Sequence, residues 1–317
     1  FRAASWVGKM VIQSSRSPWT TRAYLMSSTP RPTSHRDPEE DFGTLTQLFA
    51  RMIEAQRSHA LSSEDAWMNH AQILAVKLFK QACSVRLILD PTQLDFHDGS
   101  QIVFVDHSSA TILARACLET FIVFHWIFQC QDPALRQFRY GVWRLGGLMD
   151  RLKLHPSTDQ ASEALKVARL QAADQIAEIE PSPFLSGYSP DQVKRLMKGD
   201  WRAGWSWTDE AVRAGFSKKY FQNVYSHFCG YAHTSYISSM QMGQAQLIDD
   251  QRMLGLVALQ TCIHVMARAV AFYAELFPSG RTALKMSPEQ AQNVAYFWGF
   301  TKLDMDPLYE EPSGEDL

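Results

Sequence analysis

The chain has 317 residues, 46% hydrophobic and 20% charged, with a formal net charge of −2. That composition supports a sizeable folded core, and no strong net field points to nucleic acid or an anionic membrane. Five cysteines lie far apart in apolar runs with no CxxC pair, which points to reduced, buried thiols and a cytoplasmic location rather than a disulfide framework or metal site.

Charge is uneven along the chain. Residues 1–36 carry Arg2, Lys9, Arg16, Arg22, Arg31 and Arg36 and no acidic residue. This basic, Ser- and Thr-rich stretch is expected to be a disordered tail or an artefact of where the chain is taken to begin, Met26 opening a natural-looking start. Its make-up is also that of an organellar transit peptide.

From Pro38 the pattern turns helical. Glu39, Glu40 and Asp41 form an acidic first turn, and Phe42, Leu45, Leu48, Phe49, Met52 and Ile53 recur at helical spacing. A second helix, capped by Ser63, is expected to run to about Leu89, ahead of Asp90-Pro91. Pro91 to Ser100 is turn-rich around Asp98-Gly99, and Gln101 to Val105 either starts the third helix or is a short extended piece. The third helix covers Ser108 to Cys130. The fourth opens at Asp132-Pro133 and ends at His155-Pro156, with Gly146-Gly147 marking a kink or a close crossing.

Residues 157–216 read as a polar insertion. A polar helix spans Asp159 to Glu180. Two short helices follow at Asp191–Lys198 and Asp209–Ala214, with an aromatic loop carrying Trp201, Trp205 and Trp207 between them. One long helix is then expected from Lys218 to about Met242, and another to Phe277 with Pro278-Ser279-Gly280 as its stop. A last helix opens at Ser287-Pro288, and residues 306–317 form an acidic tail expected to be disordered. The fold class is all-α: residues 37–305 form a bundle of about eight helices with the polar helical and loop insertion.

Ala110 to Cys130 is long enough to cross a bilayer, but Arg115, Glu119 and His125 would be expensive at its centre. A buried bundle helix is expected instead, and no membrane partner.

Arg115 and Glu119 stand four apart in that apolar run, on one helix face. Such a pair either lines a cleft or is buried against polar partners, because an unpaired buried charge is costly. Tyr225, Cys229, His233 and Tyr236 fall on one face of the expected long helix. His233 is the acid/base candidate by residue type. Glu119 facing it would fix its tautomer, and Arg115 would bind an anionic group. The competing reading is a histidine bonded within a polar core. The catalytic candidates are His233, Arg115 and Glu119, with Tyr225, Ser235, Trp201 and Arg202 as candidate ligand-binding residues. Aromatics beside Arg202 either stack on bases and sugars or plug a core. His227 and His233, six apart, lie on different faces, so no metal is expected, and no cofactor. There is no phosphate loop, nucleophile elbow or HExxH.

Arg115-x3-Glu119, Asp132-Pro133 and Tyr225-x3-Cys229-x3-His233-x-Ser235 together resemble an uncharacterised family of bacterial all-helical proteins, over about residues 60–275. Those proteins look distantly similar to the HEPN helical bundles, some of which are RNases of toxin and phage-defence systems. Catalytic HEPN members use an R-x(4–6)-H motif whose Arg and His meet the RNA phosphate at a dimer interface. No histidine of this chain has an arginine at that spacing. A nuclease is therefore implied only if Arg115 supplies the guanidinium from another helix. The leading expectation is a binding or interaction protein with a polar cleft. The alternative is a metal-independent RNase, with RNA and a second copy of the chain as the partners the resemblance implies.

Overall fold

In a computed structural model the structure describes residues 36–309, apart from residues 58 and 60. The expectations for residues 1–35 and for residues 310–317 of the acidic tail lie outside the described residues. Arg36, read above as the end of the basic segment, belongs to the fold: its Nε and Nη2 donate to the Asp41 carboxylate at 2.7 Å each.

Two apolar helices form the centre, α3 (His107–Phe128) and α10 (Ile248–Leu276). Around them pack α1 (Pro38–Arg57), α2 (Asn69–Ile88) and α8 (Lys218–Ala232), with α11 (Pro278–Lys285) and α12 (Glu289–Trp298) on the α1 and α10 side. The interior is aromatic: Phe49, Phe121, Phe124, Phe128 and Tyr273 are fully buried, and Phe124 meets Phe272 edge-on at 4.9 Å. Both central helices are long and apolar enough to cross a membrane by length and composition, and 67% of the most apolar window of each is buried inside the fold. That burial is what a core helix shows.

On α3's other flank lies α4 (Pro133–Leu152), and α5 (Asp159–Ile179) packs along α4. Asp132 caps α4 by accepting from Ala134 N at 2.9 Å, with Pro133 in the first turn. The short α6 (Pro190–Met197) and α7 (Trp207–Arg213) complete the polar insertion. It is not a detached lid, because Leu196, Ala203, Ala211 and Phe216 are buried in the common core.

The described residues hold 13 α-helices, not about eight. The expected long helix is broken into α8 and α9 (Tyr236–Gln244). Pro278 does not merely stop α10; it sits in the first turn of α11, where a missing N–H costs nothing. Thr301 caps a further turn, α13 (Lys302–Met305). Beyond it Asp306–Tyr309 forms a 3-10 turn, and Lys219 Nζ donates to the Tyr309 carbonyl at 2.9 Å, so the fold continues past the expected start of the tail.

The second helix also starts differently. Ser63 caps nothing; Ser62 Oγ instead receives Asp65 N at 3.1 Å, and a 3-10 turn, Ala66–Met68, leads into α2. Between α2 and α3 the chain makes an antiparallel hairpin, β1 (Thr92–Asp95) with β2 (Gln101–Phe104), pairing Thr92 with Phe104. Gly99 takes a φ of 82° in its turn, which glycine adopts freely. The hairpin projects from the bundle with β1 exposed throughout, so no buried face imposes the alternation by which strands are read.

Candidate functional site

Arg115 and Glu119 sit midway along α3, on its partly exposed face. Arg115 Nε donates to Glu119 Oε1 at 2.8 Å, and the two side chains are 21% and 26% exposed. From α8, Tyr225 closes a triangle. Its hydroxyl donates to the same Glu119 oxygen at 2.8 Å and accepts from Arg115 Nη2 at 3.3 Å. The Tyr225 ring stacks on Phe221 at 5.0 Å and lies under the guanidinium carbon at 5.2 Å. Burial, then the Glu119 carboxylate, push the Tyr225 phenol well above its ordinary range, so it remains a neutral donor. Burial alone would disfavour the Arg115 charge; the hydrogen bond it donates to Tyr225 and the Glu119 carboxylate outweigh it and hold the guanidinium protonated.

His233 completes the group. Its Nε2 lies 3.4 Å from Arg115 Nη1, on an exposed side chain. For Nε2 to accept that contact, the ring proton must reside on Nδ1.

The placement of His233 differs from expectation. It is not on a continuous helix but is the C-terminal cap of α8. Ser235 N bonds to the Gly230 carbonyl at 2.8 Å and Thr234 N to that of Tyr231 at 3.3 Å, a Schellman turn. Thr234 occupies its left-handed position with φ 51°. The same turn follows α6 and α7, but there Gly199 (φ 88°) and Gly215 (φ 92°) hold that position. A β-branched residue in this region is strained and persists only where its surroundings impose it. Because the chain turns here, Tyr236 does not share a face with Tyr225; it is the first residue of α9 and is 81% exposed.

Ser235 is the N-cap of α9, accepting from Ser238 N at 3.4 Å. The His-x-Ser spacing is thus the signature of a helix corner. Replacing Thr234 with glycine is expected to raise stability by about 1 kcal/mol, since the left-handed strain of roughly 1–2 kcal/mol outweighs the added chain entropy. Urea denaturation checks this, and a loss of stability would contradict the assignment of strain.

The tryptophan loop reaches the same group from the side. Trp201 packs on Trp126 of α3 at 5.4 Å, Trp201 on Trp205 at 5.3 Å, Trp205 on Trp207 at 4.8 Å, and Trp207 faces Tyr225 at 6.0 Å. Trp201 therefore mainly plugs the core. Arg202 is exposed, its guanidinium 5.6 Å from the Trp201 ring and 5.9 Å from Trp207. The structure thus brings together Arg115, Glu119, Tyr225 and His233, sets Arg202 beside them across Trp207, and gives Ser235 and Trp201 structural tasks. Sequence reading missed Trp207 as the link. Its signal was local: Ser206 caps α7 by accepting from Asp209 N at 3.1 Å, which fixes Trp207 at the first helical position.

A family model described as a family of unknown function (DUF5677) matches residues 73–246. The chain belongs to this family. No curated protein and no solved structure matches it. The DUF5677 stretch contains every candidate site residue, is narrower than the span the sequence motifs suggested, and leaves out α1 and α10, which nonetheless help build the core beneath the site.

Proposed function

We propose that this DUF5677 chain uses the α3–α8 surface to bind a phosphate-bearing ligand, with Arg115 and His233 contacting it and Glu119 and Tyr225 positioning the arginine. The observation that carries this reading is the exposed imidazole set 3.4 Å from a guanidinium that a carboxylate and a phenol hold in place. Guanidinium groups recognise phosphate by directed N–H donors, and pre-orientation cuts the entropy cost of doing so. Glu119 partly neutralises Arg115, so binding of a bare anion at this site is modest, and neighbouring surfaces must add to it. Arg202 over Trp207 supplies one, suited to stacking on a base.

A second reading, a metal-independent RNase, is favoured by one feature: His233 has no carboxylate partner at its Nε2 and stands beside a phosphate-binding cation, as a general acid or base would. In that reading His233 moves the proton of the ribose hydroxyl or leaving oxygen, and Arg115 stabilises charge on the phosphoryl oxygens.

A fluorescein-labelled single-stranded RNA of 20 nucleotides, in EDTA, tests both. Arg115→Met is expected to weaken binding by roughly 10-fold or more, the loss of a charge-assisted contact. Metal-free cleavage that disappears in His233→Ala would support the second reading; binding without cleavage would leave the first alone. RNA affinity identical in Arg115→Met and the parent protein would sink both.

A further inference from the structure

A second site lies on another face, among α2, α4 and α5. A cavity of about 420 Å³ opens there, walled by Trp67 and Tyr140, whose rings are 5.5 Å apart. Trp67 is held flat on the buried Phe128, stacked at 5.8 Å, so this wall is fixed from beneath. The volume falls within the range of small-molecule sites.

The polar groups are arranged unusually. Arg144 and Glu178 both line the cavity but do not pair with each other. Gln175, itself only 3% exposed, stands between them: its Oε1 accepts from Arg144 Nη1 at 2.8 Å and its Nε2 donates to Glu178 Oε2 at 2.8 Å. Gly141 permits this, since a Cβ there would lie 3.0 Å from Gln175 Nε2. The amide keeps a full cation and a full anion apart, fixed, and each with bonding capacity left over. Beside them His70 buries an Nδ1 that has no hydrogen-bond partner, with its ring edge-on to Tyr140 at 5.2 Å. Burial, then the Arg144 charge, hold the imidazole below its ordinary range, so it is a neutral group.

We infer that this cavity binds a free α-amino acid with a planar apolar side chain. The carboxylate meets Arg144, the ammonium meets Glu178, and the side chain lies against Trp67 and Tyr140. The O–C–N unit of Gln175 already spans the two charges with a normal hydrogen bond at each end; the N–Cα–C unit of an amino acid has a similar reach. A lone carboxylate or a lone amine satisfies only one pole and leaves the other uncompensated. This site is independent of the α3–α8 surface.

Isothermal titration of the full chain with L-phenylalanine and L-tryptophan tests the inference, with phenylacetate and phenethylamine as probes lacking one pole each. At least one amino acid is expected to bind, and each single-pole probe to bind roughly 10-fold or more weakly, as expected for loss of one charge-assisted bond. Arg144→Met and Glu178→Gln are expected to weaken amino-acid binding to a similar degree. Arg169→Met, on the exposed side of α5, is expected to leave it unchanged. Should Arg144→Met fail to fold, Glu178→Gln carries the test, because its side chain is exposed. No heat from either amino acid at millimolar concentration, phenylacetate binding as tightly as L-phenylalanine, or full affinity in the Glu178→Gln variant would each overturn it.

Discussion

Asp41→Ala is expected to cost the domain about 3–5 kcal/mol, or on the order of 10 °C in melting temperature. Asp41 is 4% exposed, near the start of α1. One of its oxygens accepts from Arg36 Nε at 2.7 Å and from the indole Nε1 of Trp298 at 2.7 Å; the other takes Arg36 Nη2. Truncation strands a part-buried guanidinium and a buried indole N–H together, and removing one partner of a buried pair is worse than never having had it. It also unties the first helix from α12, more than 250 residues later in the chain. Asp41→Asn keeps one acceptor and the volume, so a smaller loss is expected. Urea denaturation followed by far-ultraviolet circular dichroism reads both. A loss under 1 kcal/mol for the alanine variant would show that the contacts do not bear on stability.

Gly146→Val is expected to cost about 2–3 kcal/mol by overpacking and to disturb the tryptophan row. A side chain at residue 146 would collide with Trp201 Cδ1 and lie 3.0 Å from the Gly199 carbonyl oxygen. Neither can retreat easily. Gly199 is the left-handed residue that ends α6, and Trp201 is seated on Trp126 and Trp205. Because the row continues through Trp207 to Tyr225, the tryptophan fluorescence of the folded variant should shift. An unchanged spectrum in a folded, equally stable variant would count against a close approach here.

The pair Gly146-Gly147 shows how far the sequence could be read. It marked a close crossing, and one exists, but against a loop rather than a helix. Long apolar helices were legible because 3.6-residue periodicity records which face is buried: α3 appeared within two residues of its observed ends, α4 within three, and α10 ended one residue from the expected Phe277. What escaped reading was decided by tertiary context. Thr234 adopts a conformation its residue type disfavours, so no glycine marked the end of α8, and the Ser235 cap was the one local sign of the break before α9. The hairpin has no buried face to print a pattern. At the candidate site, Arg115 and Glu119 stood out because charge is rare in an apolar helix. The α2–α4–α5 cavity did not, because each of its residues is ordinary on its own helix and only packing sets Gln175 between Arg144 and Glu178.

The two halves of the α3–α8 surface differ in how they are held. Arg115 and Glu119 ride on the central helix, which packs on α2, α4, α8 and α10. His233 instead caps an exposed turn held by two backbone hydrogen bonds and closed by a residue under strain. In the reading proposed above, a ligand would meet a guanidinium anchored on the core helix and an imidazole carried on a surface corner.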